Sequence, residues 1–430
     1  MSRESTIRRL LQRQRAGQHF DLGERLEREG RLDEAMAEFK NAIAMDPHLV
    51  EGQIALGYHY RRKGLLRKAA EAFRAAANLA GDFESYSNLG YVLADMGCYV
   101  EAQQAFERCL QLKPDDPVIR YELAYVLYMA EQYEPALAQV EALLGIYPED
   151  WELLLLQGSC HLGRQDYAQA AASFLRAQKA APDEEARELA REHGEVALRY
   201  QEFGARGPLT TKDRLYADYG AVVLGTATDN GLAIGDYPSY AFDFRAIAVS
   251  LRRLVALHDA LKLNLSALVP AHTQALPLVA ALGELLDLPL VPWEQLSAND
   301  VALIVMATCS SPELYDLILE RIPAKAITLA LAVDWSYRNE FTPDLIGILT
   351  QKPATWPWTP GEDWSLWAED EETLDTAFEN TPAGRAVWTL AERILQVWRA
   401  LPPEPSLAKQ LAYYQQHQRL RLWAALQDSP

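Results

Sequence analysis

Cysteine is scarce in this chain. Its four cysteines, Cys98, Cys109, Cys160 and Cys309, form no CxxC pair among 430 residues. A disulfide framework and a thiolate metal site both need paired spacings, so neither can be read, and reduced thiols buried as small hydrophobes are expected. No apolar run approaches the roughly 18–20 residues of a membrane span. The opening residues, MSRESTIRRLLQRQRAG, are basic but carry no apolar stretch of the kind a secretion signal needs. Phosphate-cradling GxGxxG and GxxxxGK loops are missing as well. Neither a cofactor nor a metal is therefore expected, and the location expected is the cytoplasm.

Basic charge is also in deficit. Lys and Arg number 41 against 60 Asp and Glu, a net charge of −19. The deficit is shared: residues 1–206 hold 25 basic and 33 acidic side chains, and the remainder 16 and 27. So acidic a surface repels phosphate backbones and anionic lipid, which argues against nucleic acid as a partner and against membrane insertion. The length suits two or three domains, and 49% apolar with 23% charged residues is ordinary for a globular chain.

What is present is a repeat. Gly23, Gly57, Gly90, Ala124 and Gly158 recur at intervals of 34, 33, 34 and 34 residues. Twelve residues after each stands an alanine: Ala35, Ala69, Ala102, Ala136 and Ala170. Four further on come Phe39, Phe73, Phe106, Val140 and Phe174. Pro47, Pro114, Pro148 and Pro182 close four units, with Gly81 in the remaining slot. Each unit reads as two short amphipathic helices, ended by a proline that cannot continue the hydrogen-bond ladder. One pair cannot bury its apolar face, so the units must stack.

Over residues 16–184 this pattern resembles the tetratricopeptide repeat. The resemblance implies an all-α solenoid of five repeats in residues 1–206, with 184–203 as a polar capping helix, that takes a protein partner in its concave groove. With units starting at 16, 50, 83, 117 and 151, the family's inner position 9 holds Glu24, Tyr58, Tyr91, Tyr125 and Ser159. The fourth unit adds Tyr121 and Tyr128, and the second Ile54, Arg61 and Arg62. The Lys and Asn with which some members clamp a carboxylate have no counterpart here. The ligand implied is an apolar or aromatic peptide or helix, with an acid near Arg61 and Arg62. Inter-repeat packing is assigned to the Gly, Ala and Phe positions. The tyrosines could equally pack on the chain's own second half or take a small molecule.

After residue 206 the repeat ends and tryptophan appears, nine of ten lying beyond residue 292. YGAVVLG (219–225) and the following TATDNGLAIGDY read as two strands about an Asp-Asn-Gly turn. Helices are expected at 244–262, 273–286 and 311–322. Strands are expected at 266–270, 288–291, 301–307 and 326–333, the third apolar throughout, as when both faces are buried. The alternation implies an α/β domain with a mostly parallel sheet over 207–340. Ligands of such sheets sit beyond the strands' carboxyl ends, which nominates His272 and Thr273 in one loop and Thr308, Cys309 and Ser310 in another. Cys309 would be activated at a helix start or inert if buried.

This layout is similar to the type I phosphoribosyltransferases over about 215–335, whose strand-end loop carries two acidic residues and a Thr/Gly-rich phosphate cradle. Ala307-Thr308 stands in place of the acids and no glycine follows, so no catalytic residue is assigned. Residues 341–430 read as a Trp/Pro-rich acidic segment (Trp356, Trp358, Trp364, Trp367), followed by helices at 383–400 and 405–425, the second able to dock on the solenoid or on a second copy. The function expected is a non-catalytic interaction adaptor. The alternative is a nucleotide or sugar-phosphate enzyme, or a ligand-binding α/β domain, localised by its repeats.

Overall fold

The structure is a computed structural model that describes residues 3–204, 207–235, 237–309, 325–334, 342–359 and 381–422. It divides into two compact units, Met1–Gly194 and Glu195–Pro430.

Ten helices form the repeats of the first unit: α1 Arg3–Arg28, α2 Leu32–Met45, α3 Val50–Arg62, α4 Leu66–Ala80, α5 Phe83–Asp95, α6 Tyr99–Leu112, α7 Pro117–Met129, α8 Tyr133–Leu144, α9 Trp151–Gly163 and α10 Tyr167–Ala180. The start of α11, Glu184–Phe203, follows them, and its Ala186 and Ala190 are buried. Local chemistry sets the boundaries. Asp82, Asp116 and Asp150 cap α5, α7 and α9 by accepting the amides of Ser85, Ile119 and Leu153. Gly81, at φ +64°, ends α4 in the left-handed region.

The repeat glycines are close-approach residues. A Cβ on Gly57 or Gly90 would sit 2.5 Å from the ring of Phe73 or Phe106, and on Gly158 2.6 Å from that of Phe174. The fourth unit replaces both partners: Ala124, which carries a Cβ, and Val140, which has no ring, are both fully buried in the same core. The pairing explains why the glycine is dispensable only there.

The second unit holds a five-stranded sheet, β1 Val222–Val223, β2 Ala267–Pro270, β3 Val301–Cys309, β4 Lys325–Asp334 and β5 Leu345–Thr350. The order is β1-β5-β4-β3-β2 and every pair is parallel. Helices α12 Thr211–Tyr219, α13 Phe244–Leu261, α14 Leu276–Leu286, α15 Pro382–Ala400 and α16 Leu407–Gln416 accompany it. Residues of α13, α14 and α15 share one core with Leu303, Val305, Leu329 and Leu345 of the sheet.

Several expectations need correction. The stretch after residue 225 is no second hairpin strand; it is a turn knotted by Asp229, whose carboxylate accepts from the amides of Thr226 and Gly231, the hydroxyl of Tyr237 and the guanidinium of Arg253. Residues 288–291 reduce to one bridge, Leu268 to Leu290. Strand β5 lies beyond the boundary expected at 340, yet pairs with both β4 and β1, so the sheet extends into what was read as a separate C-terminal segment. The helix expected at 405–425 runs from Leu407 to Gln416. It sits inside the second unit, where buried Tyr414 both donates to the carbonyl of Val223 and accepts from its amide, at 2.9 and 2.7 Å. Its buried face is therefore not available for docking elsewhere. The helix expected at 311–322, Ser310, Trp364 and Trp367 lie outside the described residues.

Candidate functional site

The groove positions read from the repeat fall on α3, α5 and α7 and are joined across repeats. The hydroxyl of Tyr58 donates to Asn88 Oδ1 at 2.8 Å, packing its ring edge-on to Phe73. Tyr91 packs likewise on Phe106 with centroids 5.4 Å apart. Arg61 pairs with Asp95 at 2.8 Å. Arg62 donates to His59 Nδ1 at 3.1 Å, while His59 Nε2 faces the Glu27 carboxylate at 3.3 Å. Glu27, Tyr58, His59, Arg61 and Arg62 line a cleft of about 410 Å³. Burial holds the buried His59 below its ordinary pKa, aided by Arg62.

These residues divide into two classes. Tyr58 and Tyr125 remain 45% and 40% exposed. Ile54, Tyr91, Tyr121 and Tyr128 pack against the repeat core, and burial raises the pKa of all three of these tyrosines. Packing is thus not carried by Gly, Ala and Phe alone, because three of the five tyrosines pack against the core of the repeats. Glu122, which the sequence reading passed over, lies among them. Burial, then the nearby Asp95, lift its carboxyl above the usual range. Its position one residue after Tyr121 was the available signal.

In the second unit the two nominated loops do come together, because β2 and β3 are parallel neighbours. The amide of Ala271 donates to the carbonyl of Val305 at 2.9 Å. The indole of Trp356 donates to Thr308 Oγ1 at 3.1 Å, and that of Trp358 to the carbonyl of Gln274 at 3.1 Å. Trp356 stacks on Phe242 at 4.4 Å. Described tryptophans of the Trp/Pro segment therefore tie the strand ends to the core. Thr273 opens a short 3-10 turn ahead of α14. His272 is held below its ordinary pKa by burial, opposed by a hydrogen bond with the Thr308 backbone. Cys309 is buried, its thiol pushed up to about 11 by desolvation; it is not an activated thiolate. No group of three metal-binding side chains occurs among the described residues.

Residues 20–83 and 54–117 match one tetratricopeptide-repeat profile, and residues 93–152 match another. Residues 20–152 are tetratricopeptide repeats. A TPR repeat-containing protein of Methanocaldococcus jannaschii is 26% identical over 128 residues, which is 30% of this chain and 22% of that protein. The protein O-mannosyl-transferase TMTC1 of Mus musculus is 32% identical over 100 residues, 23% of this chain and 11% of that one. The chain thus spans under a quarter of the length of either curated relative. Among solved structures, YrrB, described as a TPR protein with an unusual peptide-binding site, aligns at 19% identity and TM-score 0.38, covering 40% of this chain and 90% of its own. A MamA structure aligns at 23% identity and TM-score 0.36, covering 38% and 91%. No helix among the described residues is long and apolar enough to cross a membrane.

Proposed function

We propose that the protein is an interaction adaptor whose tetratricopeptide groove binds a peptide or helix of another polypeptide. Tetratricopeptide repeats in general mediate protein–protein interaction. The observation that carries the reading here is the aromatic and apolar surface that α7 leaves exposed: Val118, Tyr125 and Met129 are 58%, 40% and 36% exposed. Spaced at i, i+7 and i+11, they lie along one helix side. Rigid aromatic faces with a polar tip are the usual anchors of protein interfaces.

The test is quantitative capture of partners by the full chain and by Tyr125→Ala. A genuine anchor costs about 2 kcal/mol, or roughly thirtyfold in affinity. A partner held equally by both proteins, with unchanged thermal melts, would refute the groove assignment.

A further inference from the structure

The first part of α1 is unlike any other helix in the repeat unit. Every described side chain from residue 7 to 15 is exposed, and Ala16 is the first buried one. Ile7, Leu10 and Leu11 form an i, i+3, i+4 stripe, at 54%, 61% and 52% exposure. Residues 3–15 contain five arginines and one glutamate in a chain of net −19. Arg13 reaches Asp46 at 3.3 Å, while remaining 67% exposed. A bare helix of this length is marginal in water without packing, so a basic, apolar-striped segment calls for a complementary surface.

The groove of the third to fifth repeats supplies the complement. Its inner positions carry no Lys or Arg; they hold Tyr91, Tyr121, Tyr125 and Met129, with Asp95 and Glu152 at their edge. Half-buried Glu122 makes no ion pair among the described residues, which favours an incoming cation, whereas its neighbour Asp95 already holds Arg61. Dimensions agree. Thirteen helical residues extend about 20 Å, and three neighbouring helices of about 10 Å each span a groove of comparable length.

We infer that residues 3–15 of one copy of this chain dock in the groove of the third to fifth repeats of a second copy, leucines on the tyrosines and arginines on Glu122 and Glu152. The inference rests on the groove reading above and names its ligand. Helix and groove are different surfaces, so the contact is heterologous and propagates into open assemblies rather than closing as a symmetric dimer.

Sedimentation of the full chain tests it. The wild type should associate progressively with concentration, and more weakly as salt rises. Leu10→Glu with Leu11→Glu should weaken association at least thirtyfold, and so should Tyr125→Ala with Met129→Ala. None of these side chains is buried, so the melts should not move. Each double variant keeps one half of the contact; mixing the two should restore a one-to-one complex that grows no further. A wild type that stays monomeric, or variants that fail to complement, would overturn the inference. So would recovery of the monomeric helix-intact protein on vesicles of phosphatidylserine, which would make the segment a membrane ligand. If the chain is monomeric yet Tyr125→Ala still loses an external partner, the groove reading stands and only its self-ligand falls.

Discussion

Replacing Gly90 with alanine tests the packing rule of the repeats. The new Cβ would lie 2.5, 2.8 and 2.9 Å from three atoms of the Phe106 ring. Ordinary carbon contacts are about 3.5–4.0 Å, so the ring must retreat by about 1 Å, at a site fully buried. Overpacking of this kind costs about 1–3 kcal/mol. Alanine's helix propensity returns about 1 kcal/mol, leaving a net loss of about 0–2 kcal/mol. Phe106→Val alone should cost about 2–4 kcal/mol, somewhat less than the loss of a whole buried ring. The fourth repeat already combines Ala124 with Val140 at the equivalent positions, both buried. Gly90→Ala should therefore change sign in the Phe106→Val background, there stabilising the protein by filling space and favouring helix. Urea unfolding of the four proteins, followed at 222 nm with amide exchange in α5 and α6, measures the cycle. Equal destabilisation by Gly90→Ala in both backgrounds would show that ring and glycine are not coupled.

Two further outcomes follow from backbone strain and from a buried cation. The turns within the fourth and fifth repeats hold Glu131 at φ 58° and Gln165 at φ 64°, where the earlier repeats have Gly30, Gly64 and Gly97. Left-handed backbone costs an ordinary residue about 1–2 kcal/mol, partly offset by glycine's looser unfolded state. Glu131→Gly and Gln165→Gly should each stabilise by about 0.5–1 kcal/mol and add, and a lower unfolding midpoint for either would contradict this. Lys212 is buried between the rings of Tyr413 and Tyr414, with its ammonium at 4.5 and 4.3 Å from their centroids. Desolvation, then Arg253, press its pKa from 10.5 down to about 7. The unfolded chain then binds more protons than the folded one above pH 7, so stability rises with pH, by about 1–2 kcal/mol between pH 7 and 8.5. Tryptophan fluorescence, dominated by the second unit, should show that rise in urea melts and its disappearance in Lys212→Met; a slope that survives the substitution belongs to another group.

The repeats were legible because their physics is local and periodic. Helices α3, α5, α7 and α9 begin at residues 50, 83, 117 and 151, the unit starts that the family resemblance implied, while the first start, at 16, falls inside α1. The left-handed turn series was equally written in Gly30, Gly64 and Gly97, but its last two members are not glycine, which hid it. In the second unit the helices read at 244–262, 273–286 and 383–400 correspond to α13, α14 and α15, and strands were readable where they are apolar on both sides. Its β5 has the same character, and Gly347 fits there because a Cβ would meet the carbonyl of Leu331 at 2.2 Å. The false hairpin shows the limit. Alternating residues after 225 suit a strand, but Asp229 and Asn230 bond nearby backbone amides instead, a local competition that pattern counting misses. Ties such as Tyr414 to Val223, 191 residues apart, carry no local signature.

The two units differ in what their polar and aromatic groups already do. At the strand ends of the second unit, Thr308 is engaged by Trp356, Asp229 by four donors including Arg253, and Cys309 is a buried thiol. Arg253, itself buried, also pairs with Glu404 at 2.6 Å. A ligand there would have to displace bonds that hold loops to the core, and each buried group left unpaired costs about 1–3 kcal/mol. On the repeats the balance is reversed. Val118, Tyr125 and Met129 keep more than a third of their surface in water, and covering them breaks no contact of the chain's own. Burial of apolar surface contributes about 25 cal/mol per Å² before the costs of association. Binding free energy is therefore more readily drawn from the groove, where the gain is not offset by lost internal bonds, than from the strand ends of the α/β unit.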